Sequence, residues 1–250
     1  VLIQNENDLK KWLIQIEEKG EVAIDTETTS LDPHQANLVG ISIATDIGKA
    51  GYIPLGHVNG NNLNEKKVIK ILKPILEDSS IKKIGQNIKF DFIILYHRGI
   101  NMNSMEDTML MSYVLDAGKN RHNMDTLSEI HLNHKTISFK DLVGTGKKQI
   151  NFSEVGIDFA KNYASEDADI TYRLYKIFNK NLKNEKLINI YETFEKPLIK
   201  ILALMEINGI KLDINFLKSL SHKFEKKIKI LEKKIFKIVK KEFNIGSTKQ

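Results

Sequence analysis

The chain has 250 residues, no cysteine and a formal net charge of +6, and 41% of its residues are hydrophobic and 28% charged. These values predict a globular protein with one large domain, or with one domain and part of a second, and they exclude an intrinsically disordered chain. The lack of cysteine excludes disulfides, thiolate zinc sites and a cysteine nucleophile, and no apolar run approaches the roughly 18 residues that cross a membrane. We therefore expect a cytoplasmic protein without membrane contact, and because no methionine starts the sequence we expect a fragment of a longer chain.

The positive charge is concentrated at the C-terminal end. Residues 211–250 contain 12 lysines and 4 acidic residues, whereas the remaining 210 residues carry a net charge of −2. An AT-biased genome explains such lysine-rich sequence as readily as nucleic-acid binding does. Because only three basic residues are arginines, the chain has few of the bidentate groups that read base edges, and any DNA binding is expected to tolerate many sequences.

Short apolar segments separated by turn residues predict strands in the first part of the chain, three of them in a meander. The expected strands are residues 21–27, 37–45, 50–55 and 81–85. Helical spacing of apolar residues predicts helices at residues 9–16, 66–76, 90–97 and 108–115, and at residues 155–182 in one or two pieces. The sequence Thr126-Leu-Ser-Glu129 is typical of a capping box and predicts the start of a further helix. This order of elements predicts an α/β fold in which helices flank a mixed sheet.

The pattern changes near Glu195-Lys-Pro197. Beyond that point, apolar residues recur at helical spacing from Leu217 to Ile238, which predicts one long helix with an apolar stripe. A stripe of this kind needs a partner surface. Packing within a larger protein is favoured over a coiled coil, because about three heptads without sustained opposite charges beside the seam are weak support for the latter.

The candidate reactive groups are carboxylates. Asp25 and Glu27 lie two residues apart at the end of an apolar strand, so both side chains project from the same face. Tyr163 and Asp167 are four residues apart and share one face of a helix, and Asp91 lies where a strand gives way to a helix. Oxygen ligands without nearby histidine or cysteine suit Mg²⁺ or Mn²⁺ and not zinc. Taken singly, each acid has an ordinary interpretation as a strand end, a solvated helix pair or a helix cap.

Taken together and in order, these residues resemble a known family. Asp25-Thr-Glu27, Gly85-Gln-Asn-Ile-Lys-Phe-Asp91 and Tyr163-Ala-Ser-Glu-Asp167 are similar to the three motifs of the tyrosine subtype of the DEDD superfamily of 3′-to-5′ exonucleases. The resemblance is closer still to the proofreading domains of bacterial family A DNA polymerases, and it extends over essentially the whole chain. It implies a ribonuclease H-like fold and hydrolysis that uses two divalent metal ions, Mg²⁺ or Mn²⁺.

The resemblance also implies roles for the individual carboxylates. Asp25, Glu27 and Asp167 would hold one ion, and Asp25 with Asp91, acting through water, would hold the second. The two ions would activate the attacking water and neutralise the departing 3′ oxygen without a covalent intermediate. Tyr163, whose ordinary pKa is near 10, is a poor general base at neutral pH, so its expected role is to orient the water.

The implied substrate is the 3′ end of single-stranded or frayed DNA, from which nucleoside 5′-monophosphates would be released. Leu31 and Phe139 match positions that contact the terminal bases, and apolar contact tolerates any base. Ordinary buried core positions are the alternative interpretation of these two residues. Gln86 and Asn87 would bind the substrate strand.

The resemblance implies two domains in a monomeric protein. Residues 1–190 would form the exonuclease domain. Residues 191–250 would be the truncated, helical start of a polymerase domain, because Glu195-Lys-Pro-Leu198, Asn208-Gly-Ile-Lys-Leu-Asp213 and Ser247-Thr-Lys-Gln250 resemble it. The missing part of that polymerase domain is the expected partner. The motifs for nucleotide addition are absent from this chain, as is a 5′ nuclease.

Two other functions remain open at this point. A ribonuclease D-like RNA exonuclease shares the carboxylates and the tyrosine, but the segment after Glu195 resembles a polymerase and not the helical domains of that enzyme. A catalytically silent scaffold is the second alternative, and the presence of all four carboxylates argues against it.

Two further motifs are given little weight. Gly144-Thr-Gly146-Lys147-Lys148 is similar to a phosphate loop, but the first glycine of that motif is replaced by Asp141 and no Ser or Thr follows Lys147. His131 and His134 have the spacing of a metal site without an accompanying Glu or Cys, and the helix surface is the expected location.

Overall fold

Residues 1–247 are described by a computed structural model, and the chain divides into two compact units, Val1–Ile207 and Asn208–Gln250. The strands of the first unit are β1 (Glu21–Thr28), β2 (Leu38–Asp46), β3 (Lys49–Pro54), β4 (Lys82–Gly85) and β5 (Met105–Asp107). Its helices are α1 (Glu6–Lys19), α2 (Glu65–Glu77), α3 (Ile88–Tyr96), α4 (Thr108–Asp116), α5 (Met124–Leu132), α6 (Phe139–Val143), α7 (Ile157–Asn184), α8 (Ile188–Ile190) and α9 (Lys196–Asn208). Short 3₁₀ turns lie at Gly146–Lys148 and Phe152–Glu154, and a π-helical turn at Tyr191–Glu195 joins α8 to α9.

Within the described residues the strands form one five-stranded sheet in the order β3-β2-β1-β4-β5. The β1–β2 and β2–β3 pairs are antiparallel, whereas β1–β4 and β4–β5 are parallel. Strand β1 is therefore the centre of a mixed sheet. The register of β1 against β2 shifts between Glu27 and Thr28, which is a β-bulge at the end of β1.

Alternation along β1 separates the two faces of the sheet. Val22 and Ile24 belong to the core that α1, α2 and α3 cover, whereas Ala23 belongs to the core that α7 covers on the other face. Since side chains two residues apart share a face, Asp25 and Glu27 lie on the α7 side. The long helix α7 packs across β1, β2, β3 and β4 and is the main cover of that face.

The predicted α/β class and the mixed sheet with flanking helices are confirmed, including the strand meander, and the segment after residue 155, predicted as one or two helices, forms the single helix α7. One strand was not predicted. Strand β5 has only three residues, Met105–Asp107, and its sequence is too short to show alternation. The predicted capping box is wrong: α5 begins at Met124 after Asn123, so Thr126 lies inside the helix.

The second unit contains α10 (Ile214–Val239). Asp213 caps this helix, because its side chain accepts a hydrogen bond from the backbone N–H of Phe216 at 2.8 Å. The predicted apolar stripe is present, and no residue of α10 is buried within the described part of the chain. Of the predicted segment Ser247-Thr-Lys-Gln250, the last three residues lie outside the described residues. The predicted domain boundary at residue 190 stays a prediction; the division into compact units falls after Ile207.

Among residues 1–247, no helix combines the length and the apolar character that spanning a membrane requires.

Candidate active site

The site is built where the end of β1 meets α7. On α7, Ala160, Ala164 and Ala168 recur every four residues and are fully buried, so the first part of the helix face next to the sheet consists of small side chains. Small residues allow a helix to pack closely on a sheet. Tyr163 and Asp167 are offset by one position from this row of alanines, which places them at the edge of the packed face, next to the end of β1.

Three carboxylates converge at this point. Asp25, Glu27 and Asp167 each offer one oxygen atom, and these three atoms lie within 4.8 Å of one another. Glu27 and Asp167 are buried. The Oε1 atom of Glu27 is buried and has no hydrogen-bond partner among the described residues. A buried carboxylate oxygen that no donor reaches is costly, and a cation bound between the three carboxylates would remove this cost.

The donor set fits a hard divalent cation. All three ligands are carboxylate oxygens, which Mg²⁺ and Mn²⁺ prefer, and nitrogen or sulfur ligands are absent from the group of three. Asp25, Glu27 and Asp167 are therefore the residues that could hold a metal ion. The predicted metal ligands thus lie together, with Asp91 outside the group of three.

Asp91 is hydrogen-bonded to β1, the strand that carries Asp25 and Glu27. Its carboxylate is 2% exposed. One oxygen, Oδ1, accepts hydrogen bonds from the backbone N–H of Thr26 at 2.9 Å and from the hydroxyl of Thr26 at 2.5 Å. Because Thr26 lies between Asp25 and Glu27, these bonds fix α3 against β1 and hold the fourth carboxylate beside the other three.

The carboxyl groups are held in surroundings that favour their neutral forms. Burial raises the pKa of Asp25 to about 6. Burial, and then repulsion by Asp25, Asp167 and Asp91, raises the pKa of Glu27 well above its ordinary value. Burial and the charge of Asp25 raise the pKa of Asp167 and of Asp91 in the same way. The protein therefore brings together charges that only a counter-ion stabilises at neutral pH.

The Tyr163 hydroxyl is directed at this cluster. It donates a hydrogen bond to the carboxylate of Asp167, one turn along α7. Burial, and then the charges of Asp167, Glu27 and Asp25, raises the pKa of Tyr163 far above its ordinary value of 10.0. The phenol therefore stays protonated at neutral pH and can donate a hydrogen bond, but it cannot act as a base.

A cavity of about 610 Å³ opens in front of the carboxylates. All nine residues that the sequence suggested for the site line it: Asp25, Glu27, Leu31, Gln86, Asn87, Asp91, Phe139, Tyr163 and Asp167. Leu31 is 95% exposed and Phe139 is 43% exposed. Neither side chain is a core residue, so both are available to a molecule that enters the cavity.

The two amide residues differ in how free their side chains are. The amide nitrogen of Gln86 donates to the carbonyl of His122 at 2.8 Å, and its amide oxygen accepts from the hydroxyl of Thr108 at 2.5 Å. Both ends of this side chain are thus used within the protein. Asn87 is exposed in a left-handed conformation with φ 62°, which leaves its side chain facing the cavity.

Sequence reasoning missed several residues of the site. Thr26 fixes Asp91, and the side chain of Asn151 donates to the carbonyl of Thr29 at 2.8 Å, which fixes the loop that carries Leu31. Phe152 is buried and packs against the rings of Phe139 and Tyr163, with centroid distances of 6.2 and 6.1 Å. The position of Thr26 inside the Asp25-Thr-Glu27 motif was a usable signal for the first of these. The segment Asn151-Phe-Ser-Glu154 forms a capping box, but nothing in the local sequence indicates the contact of Asn151 with Thr29 or the packing of Phe152 against the rings of Phe139 and Tyr163.

The two motifs given little weight lie apart from the carboxylates. Gly146–Lys148 is a 3₁₀ turn and not a loop that opens a helix of useful length. His134 contacts Glu166, with Nε2 and Oε1 2.8 Å apart, and His131 packs edge-on against Phe178. Neither histidine is among the cavity-lining residues.

Comparison with known proteins gives one family match. Residues 1–183 match the model of the DNA polymerase A 3′-5′ exonuclease family. The chain is 42% identical over 271 aligned residues to DNA polymerase I of Rhizobium leguminosarum, covering 100% of this chain and 27% of that protein. It is 40% identical over 250 residues to DNA polymerase I of Pseudomonas aeruginosa, covering 96% of this chain and 27% of the relative. The chain thus spans about a quarter of the length of these relatives.

Solved structures show the same fold at low sequence identity. The POL domain of Pol1 from M. smegmatis, in complex with DNA primer-template and dNTP, is similar with a TM-score of 0.75 and 19% identity, covering 100% of this chain and 39% of that one. NrnC of Brucella melitensis with bound Mg²⁺ is similar with a TM-score of 0.58 and 22% identity, covering 79% of this chain and 92% of that one.

Proposed function

Because this chain belongs to the 3′-5′ exonuclease family of DNA polymerase I, we propose that it removes nucleoside 5′-monophosphates from the 3′ ends of single-stranded or frayed DNA. The observation that carries this proposal is the convergence of Asp25, Glu27 and Asp167, whose oxygens lie within 4.8 Å of one another at the base of a cavity. In the longer protein the activity would serve proofreading beside a polymerase domain, the proposed partner within the same chain.

Asp25, Glu27 and Asp167 would hold one divalent ion, Mg²⁺ or Mn²⁺, and Asp25 with Asp91 would hold a second. When bound, such ions supply an activated water and neutralise charge on the phosphate and the leaving oxygen. The unpartnered Oε1 of Glu27 supports this proposal, because within the described residues it is a buried acceptor that a cation would satisfy.

The other residues act on water and substrate. Tyr163 keeps its proton and orients the attacking water through a hydrogen bond. Leu31 and Phe139 hold the terminal bases by apolar contact, which places the last phosphodiester over the carboxylates. Asn87 is the freer of the two amides and is the better candidate for a contact with the strand.

The test is cleavage of a 5′-labelled single-stranded oligonucleotide by the 250-residue chain with Mg²⁺ or Mn²⁺. We expect a ladder of products shortened from the 3′ end, and no products with EDTA. The variant Asp25→Ala/Glu27→Ala should lose cleavage by more than about 1000-fold, because the ligands of both ions are removed. The matched control is Glu17→Ala/Glu18→Ala, which removes two exposed acids from α1 and should cleave at the wild-type rate.

Three results would overturn the proposal. Cleavage by Asp25→Ala/Glu27→Ala at the control rate would mean that the carboxylate cluster is not the active site. Preferred cleavage of an RNA oligonucleotide over DNA of the same sequence would instead favour an RNA exonuclease. If neither DNA nor RNA is cleaved with any of the divalent ions, the remaining function is that of a catalytically silent scaffold.

A further inference from the structure

The turn at residues 144–150 lies at the mouth of the cavity and has no role in the function proposed so far. Its last two residues, Gln149 and Ile150, line the cavity together with Asp25 and Phe139. A strand that occupies the cavity therefore contacts this turn. Lys147 and Lys148, which directly precede Gln149, are exposed.

The backbone of the turn is held in place. The N–H of Gly144 donates to the carbonyl of Lys140 at 2.9 Å, and the N–H of Ile150 donates to the carbonyl of Val143 at 2.9 Å. Val143 is 2% exposed and belongs to the core beneath α7. The turn is thus closed on itself and anchored to the core, so its lysines project from a fixed position.

The lysines of the turn lack partners. In the described part of the chain, neither Lys147 nor Lys148 forms an ion pair or a side-chain hydrogen bond. Two lysines on helices that carry other site residues do form ion pairs: Lys89 on α3 with Glu206 and Lys161 on α7 with Asp158. The two lysines at the cavity mouth are therefore available to an anion from outside.

The charge of the turn complements that of the proposed substrate. A DNA strand is a polyanion, and the base of the cavity holds four carboxylates that repel it. Within residues 139–150 there are three lysines and one acid, although residues 1–210 as a whole carry a net charge of −2. Cationic side chains beside an acidic site attract the strand and hold its phosphates outside the catalytic centre.

We infer that Lys147 and Lys148 bind the phosphodiesters on the 5′ side of the terminal nucleotide, while the exposed side chain of Ile150 contacts a base. This subsite rests on the proposed function, since it needs a single strand in the cavity. The glycine-lysine sequence thus binds phosphate as two point charges on a turn, and not as a nucleotide-binding phosphate loop. The subsite lengthens the recognised strand beyond the residue that is removed.

The test compares Lys147→Gln/Lys148→Gln with the wild-type chain on oligo-dT of two and ten nucleotides at several KCl concentrations. Each phosphate contact to a single strand contributes about 0.7 to the slope of log affinity against log salt, so the double variant should lower this slope by about 1.4. We expect kcat/KM on the ten-nucleotide strand to fall about 10-fold at low salt, mainly through KM, and to fall less on the dinucleotide. The matched control is Lys66→Gln/Lys70→Gln, which removes two exposed lysines from α2 and should keep the wild-type slope.

A slope unchanged from the control would overturn the inference, and so would an equal loss on both strand lengths. Binding of a fluorescein-labelled ten-nucleotide strand in Ca²⁺, measured by anisotropy, separates this inference from the proposed function. If the wild-type chain binds the strand but never cleaves it, the proposed function fails, and a weaker, less salt-dependent affinity of the lysine variant still supports the subsite.

Discussion

At the scale of single residues, the site depends on hydrogen bonds that fix the carboxylates and leave the Oε1 atom of Glu27 without a donor among the described residues. Thr26 donates a hydrogen bond to the carboxylate of Asp91, and Tyr163 donates one to the carboxylate of Asp167. They differ in how they could be found. Both lie within motifs of the sequence, and the role of Tyr163 follows from its motif, whereas the role of Thr26 becomes clear only from its contact with Asp91, 65 residues away in sequence.

Tyr163→Phe removes the hydroxyl and keeps the ring that packs against Phe139 and Phe152. A hydrogen bond to a charged group is worth about 1.5–3 kcal/mol, so we expect a rate about 10- to 150-fold lower. Metal affinity, measured by Mn²⁺ titration, should be retained. Tyr96→Phe, at an exposed position, is the control, and a single-turnover rate equal to that of this control would exclude the orienting role.

Thr26→Val removes the hydroxyl that donates a hydrogen bond to Asp91 at 2.5 Å and keeps the shape of the side chain. We expect the free energy of unfolding to fall by about 1–2 kcal/mol, because a buried carboxyl loses a donor. Cleavage should slow as well. The control is Thr45→Val in β2, whose buried hydroxyl has no partner within residues 1–247 and whose loss should be neutral or stabilising. Chemical denaturation of both variants gives the comparison, and equal stability would contradict this account.

At the scale of elements, one carboxylate joins two helices. Asp107 accepts hydrogen bonds from the backbone N–H groups of Asn87 and Ile88, at the start of α3, and from those of Met109 and Leu110, at the start of α4. Burial raises the pKa of Asp107 to about 6, and these four bonds act in the opposite direction. Since α3 carries Asp91, this cap also positions a site residue.

Asp107→Ala leaves four helix N–H groups without their acceptor. At about 1–2 kcal/mol for each helix cap, we expect a loss of about 2–4 kcal/mol in the free energy of unfolding. Asn123→Ala at the start of α5 is the matched control, because the Asn123 side chain makes no capping hydrogen bond, and its expected cost is below about 0.5 kcal/mol. Thermal unfolding measures both, and similar losses for the two variants would contradict the double cap.

The elements also show what sequence alone could provide. The three strands within residues 21–55 could be assigned because short apolar segments are separated there by turn residues. Helix α7 could be assigned from its long helical periodicity. Strand β5 could not, because its pairing with β4 is decided by the sheet and not by three residues of local sequence. The capping box at Thr126 failed because the helix begins earlier, at Met124. At the site, the family motifs located the carboxylates, while Asn151 and Phe152 depend on contacts that only the folded chain creates.

At the scale of the whole molecule, the acidic cluster that would bind metal ions lowers the free energy of unfolding of the metal-free chain at neutral pH. The pKa of Asp25 is about 6 in the folded protein, above its ordinary value of 3.8, so between these two pH values the folded state binds more protons than the unfolded state. Without divalent ions, the free energy of unfolding therefore decreases as the pH rises through this window. A bound ion reverses this pH dependence, because the ion binds the ionised carboxylates and stabilises the folded state more as the pH rises.

We expect the metal-free chain to be more stable at pH 5 than at pH 7.5, and Mn²⁺ to raise Tm at pH 7.5. Asp25→Asn/Glu27→Gln should be more stable than the wild type without metal at pH 7.5, since it removes two buried charges, with Tm raised by about 2–4 °C for each kcal/mol gained. This variant should not respond to Mn²⁺. Differential scanning calorimetry tests the prediction, and a variant less stable than the wild type, or one equally stabilised by Mn²⁺, would contradict it.

The distance along the chain between β1 and α7 has a consequence for biosynthesis. Asp25 and Glu27 leave the ribosome long before Asp167, which lies in the middle of the 28-residue helix α7. A nascent chain halted before that helix lacks Asp167, one of the four carboxylates, and lacks the main cover of one sheet face. The four carboxylates therefore come together only when α7 docks, and the proposed nuclease activity would begin only at that step.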